Sequence, residues 1–299
     1  MTIGIIGKAS QASRYHTALR QRLIEPVNLT AETRQALARE NSTAALCELL
    51  QTKKLTGLII ATPPHVQLAV LMAVQKLNIP MILEKPLACS YSELKELKSL
   101  EKLRAPVFVN HPHLFDRSLG DFLHGFHSDS SRHCLDIHKL LIVEGGRGPF
   151  RTNVSAFFDW GIHAVVACLA IFGKMPLDVE CESTDTNTQK DGRVWKMNMT
   201  FSDTCSASLL FGNGLPQKVR TVEGLDLHGK KVLSVRLADN LWGIRAPASR
   251  LVDSFLTQLM PSGSTSSSKL ANTDSIGKAS FDLSVRGHEL MMPHIPSAD

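Results

Sequence analysis

Residues 55–86 read LTGLIIATPPHVQLAVLMAVQKLNIPMILEKP, and the order of patterns in this stretch decides the fold class. An apolar run at 57–60 closes on Pro63-Pro64, which forces a turn. The apolar residues of 66–77 then recur at helical spacing, and a second short apolar run ends at Pro86. Strand, turn, helix, strand is the unit of a parallel sheet. The same alternation extends in both directions. Ile3–Ile6 is a buried strand ending at Gly7, residues 11–23 look helical, and Val27–Leu29 is a weak strand. Residues 30–40 and 42–50 read as helices, 90–103 as another, and APVFVNH (105–111) as one more strand. The N-terminal part is therefore α/β with a parallel sheet.

Beyond this the pattern changes. Residues 134–143, 193–203, 206–214 and 230–239 read as strands with few helices between them. In 194–201 Val194, Lys196, Asn198 and Thr200 share one face, and Trp195, Met197, Met199 and Phe201 the other, as in a sheet with one packed and one wetter side. A helix at 247–260, a flexible loop by composition in SGSTSSS (262–268) and a final helix at 273–291 complete the chain. The switch places a domain boundary near 116–132, giving domains 1–118 and 119–299, with packing of the last helices back on the first domain left open.

Composition bounds the function classes. The chain has 299 residues, 33 Lys plus Arg against 28 Asp plus Glu, a net charge of +5, and a hydrophobic share of 43%. That is globular composition, with length enough for two domains. Dispersed basic residues without a basic stripe argue against nucleic acid. No apolar run approaches the ~20 residues of a membrane span, and MTIGIIG lacks the basic segment of a signal peptide. Six cysteines stand singly without a C-x-x-C pair, which argues against zinc or a disulfide scaffold and for a reducing cytoplasm.

Three places carry candidate chemistry. The first is the turn after Ile6. A dinucleotide-binding turn wants G-x-G-x-x-G, and this chain offers Gly7-Lys8-Ala9-Ser10-Gln11-Ala12, with the first glycine kept and alanine at the other two positions. The helix N-terminus can still present N–H groups to a phosphate. An ordinary strand-to-helix turn explains the same residues. The strand near Val27–Leu29 ends without the acid that would select a ribose diol, and Arg34 or Lys8 could meet a 2′-phosphate. Alternatively, Glu32 and Arg34 decorate an exposed helix, so the cofactor stays NAD or NADP.

The second place is Glu84-Lys85-Pro86, where a lysine fixed at a strand end can serve as acid or base and a proline stiffens its loop. A solvated strand end is the plainer reading. The third is Phe157-Phe158-Asp159-Trp160-Gly161-Ile162-His163, followed by an apolar run. Asp159 and His163 are four apart and share one helical face, where a carboxylate can orient an imidazole that moves a proton near neutral pH. An N-cap plus a satisfied core histidine is an equal alternative. A metal is not expected, because no third ligand sits at helical spacing. His124, His127, His133 and His138 either line a cleft or coat a surface loop.

Taken together, IGIIG, ATPP, ILEKPL, FVNHPHLF and GPFRTNVSAFFDWGIHAVVACLAIFGKMP resemble the Gfo/Idh/MocA oxidoreductases, in order and spacing, from residue 3 to about 180. The resemblance implies a Rossmann domain followed by an α+β domain with an open, mostly antiparallel sheet, through which members assemble as homodimers or homotetramers. It implies hydride transfer between NAD(P) and a hydroxyl or keto carbon of a sugar, cyclitol or nucleotide sugar. Lys85, His163 and Asp159 would be the catalytic set. Gly7, Ala9, Ser10, Gln11, Ala12, Thr30, Thr62, Pro63, Glu84 and Lys85 would border the cofactor, and His111 and Trp160 the substrate. The departures at Ala9, Ala12 and the end of the second strand leave a weaker nucleotide-binding sensor, or an assembly subunit of the same fold, as alternatives.

Overall fold

The structure is a computed structural model and describes residues 1–7, 10–75, 77–100, 103, 105–120, 123, 137–148, 154–184, 192–237, 247–259 and 267–295, with the side chains of the last helix described from residue 279. Lys8, Ala9, His124, His127 and His133 lie outside the described residues.

The first sheet is built from β1 (Ile3–Ile6), β2 (Val27–Asn28), β3 (Gly57–Ile60), β4 (Met81–Leu83) and β5 (Val107–Val109), in the order β2-β1-β3-β4-β5 with every pair parallel. The inner strands β1, β3 and β4 are buried along their whole length, which explains runs such as GLII and MIL that are apolar without alternation. Between the strands run α1 (Ser10–Arg20), α2 (Thr30–Leu37), α3 (Ser42–Thr52), α4 (Pro64–Val74) and α5 (Tyr91–Ser99). Proline opens α4, where its missing N–H costs nothing. Ser90 caps α5 by accepting from the N–H of Glu93, whose carboxylate reaches back to the N–H of Cys89. That helix stops at Ser99, short of the 103 read from sequence. Gly7 is fixed by sterics, since a Cβ there would collide with the carbonyl oxygen of Ala61 at the end of β3.

The second sheet contains β6 (Lys139–Arg147), β7 (Asp178–Thr184), β8 (Val194–Ser202), β9 (Cys205–Gly212), β10 (Gly214–Leu225) and β11 (Lys231–Arg236), in the order β11-β10-β6-β9-β8-β7. Only β6 and β9 pair in parallel; the other neighbours are antiparallel. In β8 the apolar face is buried and Lys196, Asn198 and Thr200 are partly or fully exposed, as the alternation requires, although Val194 is buried as well. α6 (Ala156–Phe172) lies against this sheet and is buried on nearly every side, which accounts for its apolar circumference. Ser155 caps its start and Gly173, at φ 66°, ends it. Gly161 is required for close packing, since a Cβ there would meet the Phe211 ring and Met291.

Two strands escaped the sequence. β7 is a mostly exposed edge strand whose alternation is confined to Val179 and Cys181, both only partly buried, among polar residues. β10 contains Pro216, and its register against β6 shifts between Gly214 and Val219, which frees the proline from ladder pairing. The last helices are α7 (Pro247–Leu259) and α8 (Ser267–Met291). Ser267 and Ser268, assigned by composition to a loop, begin α8.

The chain divides into one unit of Met1–Asn110 with Trp242–Val285 and another of His111–Leu241 with Arg286–Asp299. This division falls before the boundary read at 118, and it returns part of the last third to the first unit. α7 shows how: Arg22, just after α1, bonds Asp253 and Ser249 at 2.6 and 2.7 Å, and Phe255 meets Phe108 of β5 edge-on at 6.2 Å. Among the described residues no helix is long and apolar enough to cross a membrane.

Candidate active site

In the first unit two of the predicted residues, Gln11 and Glu84, meet at one carboxylate together with Tyr15 and Asn110, which were not read from the sequence. Glu84 follows β4, is 9% exposed, and its Oε1 accepts from Gln11 Nε2 at 2.7 Å, the Tyr15 hydroxyl at 2.6 Å and Asn110 Nδ2 at 2.9 Å. Its backbone is held as firmly. The Gln67 amide accepts from the Glu84 N–H at 2.9 Å and donates to the Glu84 carbonyl at 2.7 Å. Burial first, and then the adjacent carboxylate, raises the Tyr15 pKa well above its ordinary value, so the phenol stays a donor. The next residue, half-buried Lys85, is joined to buried Pro86 by a cis peptide bond. The lysine is thus carried on a strand end whose preceding residue is tied to α1, α4 and the end of β5.

Around the first turn, Gly7 and Thr30 interlock. The Thr30 hydroxyl accepts from the Gly7 N–H and donates to the Gly7 carbonyl, both at 2.9 Å. Ser10 is exposed at the start of α1, and Ala12 is buried against the sheet. Arg34 is exposed on α2. After β3, Pro63 is exposed, whereas the hydroxyl oxygen of Thr62 is buried without a hydrogen-bond partner. Buried hydroxyls are seldom left so.

In the second unit α6 carries Asp159, 6% exposed, and one turn later His163, 4% exposed. The N-cap is Ser155, so Asp159 lies inside the first turn and does not cap the helix, which corrects the N-cap reading of this pair. His111, fully buried ahead of a 3₁₀ turn (Pro112–Phe115), faces His163 with Nδ1 atoms 3.4 Å apart. His113 of that turn stacks over His163 at 6.4 Å between ring centroids and reaches Glu144 of β6 with 3.3 Å between Nε2 and Oε2. Glu144 also lies 3.1 Å from Arg220 Nε, its direct cross-strand neighbour on β10. The Arg220 guanidinium sits over the Trp160 ring at 5.4 Å.

The charges in this cluster can be assigned. Glu144 is 0% exposed, and a carboxylate so placed needs a cation. Burial, followed by the nearby Arg220 charge, pushes the His113 pKa down to about 3. His113 is therefore neutral, and Arg220 supplies a positive charge beside Glu144. His113, Glu144 and Arg220 were not read from the sequence. A single acid inside the apolar run LLIVEGG (140–146) was the available signal. His138 is half-buried, with Nδ1 3.1 Å from the Thr204 carbonyl. Among the described residues no three His, Cys, Asp or Glu side chains are placed to hold a metal ion.

Comparison with known proteins follows the same division. Residues 1–111 match the family GFO_IDH_MocA, described as an oxidoreductase family with an NAD-binding Rossmann fold. No curated protein matches the chain. Among solved structures it is similar to a dehydrogenase from Chromobacterium violaceum, with a TM-score of 0.68 and 13% identity, covering 100% of this chain and 95% of that one. The UDP-N-acetylglucosamine 3-dehydrogenase from Acidithiobacillus ferrooxidans gives 0.63 and 15% over 97% and 96%. A myo-inositol 2-dehydrogenase from Lactobacillus plantarum gives 0.62 and 12% over 96% and 98%. At such identities the likeness is one of fold. Residues 1–111 thus match the NAD-binding Rossmann part of the Gfo/Idh/MocA oxidoreductase family, and the chain as a whole takes the two-sheet fold of solved dehydrogenases.

Proposed function

We propose that this protein is an NAD(P)-dependent oxidoreductase acting on a hydroxyl or keto carbon of a sugar, cyclitol or nucleotide sugar. The observation that carries the reading is Lys85, presented directly after a Glu84 whose carboxylate and backbone are both pinned, in a domain of an NAD-binding family. Such anchoring suits a group that must be placed to within a fraction of an ångström.

The residues present fit a dinucleotide. α1 has no acid in its first turn, so its N-terminal N–H groups and positive dipole end suit a pyrophosphate. The buried Thr62 hydroxyl, which has no protein partner, suits a polar group of the cofactor. Gly7, Ser10, Gln11 and Ala12 would border the phosphates, with Ala9 between them in sequence, while Thr62, Pro63 and Glu84 would border the nicotinamide end. Gln11 and Glu84 do so by shaping the wall, since they bond each other, and Thr30 does so by holding Gly7. When bound, the nicotinamide supplies the hydride chemistry.

The chain's own part is proton handling and orientation. Lys85 accepts the hydroxyl proton in the oxidative direction and returns it in the reductive one. His163 assists as a second acid–base group and Asp159 orients the imidazole or a substrate hydroxyl. Trp160 contributes an aromatic wall of the substrate site. Assembly into dimers or tetramers through the second sheet belongs to the same reading.

The test is absorbance at the reduced-nicotinamide band with NAD and NADP over a panel of sugars, cyclitols and nucleotide sugars. Turnover with any of them supports the reading. Binding of either nucleotide without turnover favours the sensor, for which the alanine at position 12 is the specific observation. No binding of either nucleotide at millimolar levels removes both.

A further inference from the structure

His111 and His163 oppose the same ring atom. Their Nδ1 atoms are 3.4 Å apart, with ring centroids at 5.4 Å and planes at 85°. Both side chains are buried, one ahead of the 3₁₀ turn and the other on α6. A neutral imidazole nitrogen is either a donor or an acceptor, so a contact of this kind needs one of each. Two Nε2–H tautomers would set lone pair against lone pair, and two Nδ1–H tautomers would set hydrogen against hydrogen. One proton between the rings satisfies both atoms.

We propose that His111 and His163 form one acid–base unit, with a single proton held between their Nδ1 atoms, so that His111 sets the tautomer of His163. The proposal rests on His163 acting as an acid–base group in the function above and deepens it, making His111 a positioning residue rather than a substrate contact. The accepting ring already carries its proton on Nε2, so the pair takes up its one further proton at the bare Nε2 of the donating ring, which leaves the Nδ1–H···Nδ1 bond intact and makes it charge-assisted. A second proton would place two cations side by side in a buried site, so the pair carries one charge.

The groups around the pair allow this. On α6, Asp159 lies one turn before His163. From the 3₁₀ turn, His113 stacks over His163 and stays neutral. Beyond it, Glu144 of β6 and Arg220 of β10 are opposite charges 3.1 Å apart. From α8, His288 lies parallel to the Phe158 ring, one residue before Asp159.

The test is nitrogen-resolved NMR of the histidine rings in the whole chain, with signals assigned through His111→Asn and His163→Asn. One ring protonated at Nδ1, the other bare there, and a single proton taken up by the pair on acidification is the expected result. Two Nε2–H rings, or two independent protonation steps, overturn the proposal. His111→Phe is expected to change the His163 tautomer, lower turnover by about tenfold or more and shift the acid limb of the pH–rate profile. His111→Asn, whose amide can replace the lost nitrogen, is expected to recover most of both. An active Phe variant with an unaltered pH profile also overturns the positioning role. The NMR result stands without any substrate, so failure of the oxidoreductase reading and failure of the pairing are separate outcomes.

Discussion

The Tyr15 hydroxyl donates at 2.6 Å to the Glu84 carboxylate, across 69 residues of sequence. Gln11 from the same helix and Asn110 from the end of β5 donate to the same oxygen, so three segments of the first unit converge one residue before Lys85. Tyr15→Phe removes a buried bond to a charged acceptor and is expected to destabilise by about 1.5–3 kcal/mol, read from urea unfolding. An unchanged midpoint would show that the other two donors suffice.

The same bond gives an alkaline signature. The folded phenol holds its proton well above the ordinary value of 10.0, whereas the unfolded chain releases it near there. Stability from this group is complete below about pH 10 and falls as pH rises toward the folded value, by about 1.4 kcal/mol per pH unit. Urea midpoints measured upward from about pH 9 should show this decline, and Tyr15→Phe should flatten it.

Lys85→Ala removes the proposed proton acceptor without touching the dinucleotide turn. Turnover is expected to drop by roughly 10²–10⁴, with the calorimetric affinity for the reduced cofactor nearly unchanged. Equal activity in variant and parent would exclude Lys85 from the chemistry.

Arg220 supplies a positive charge beside fully buried Glu144. Arg220→Met strands that carboxylate and is expected to cost about 3–5 kcal/mol. Arg220→Met with Glu144→Leu should recover at least half of the loss, because the buried charge goes with its partner. Additive losses in the thermal melts of the double variant would refute this account of the pair.

His113 predicts an acid limb of the opposite sign to Tyr15. Its folded pKa is pushed down to about 3 from an ordinary 6.5, so between these values the unfolded chain binds a proton that the folded one refuses. Its stabilising contribution is present above about pH 6.5 and fades as pH falls toward about 3, by about 1.4 kcal/mol per pH unit. His113→Gln should flatten that limb in unfolding curves, and an unchanged slope would mean that His113 charges in place.

Much of the fold was legible from local pattern. Gly57–Ile60 and Met81–Leu83 are short apolar runs between helices because inner strands of a parallel sheet are buried on both faces. Mostly exposed β7 and the proline-containing β10 were not, since their strand state comes from the neighbours that pair with them. The Lys85 and Asp159–His163 positions were read from short motifs. The supporting residues Tyr15, Gln67, His113 and Arg220 were not, because nothing in the chain near them names their partners.

The amino-acid order by itself determined the alternating N-terminal half, the strand-rich remainder, and which side chains are candidates for chemistry, all of which depend on residues a few positions apart. The tertiary structure decided what those side chains touch: three donors on Glu84, one imidazole nitrogen against another at His111 and His163, and a guanidinium beside Glu144. The physical reason is range. Periodicity is set by neighbouring residues, whereas a buried polar group must be satisfied by whatever the fold brings to it, however distant in sequence.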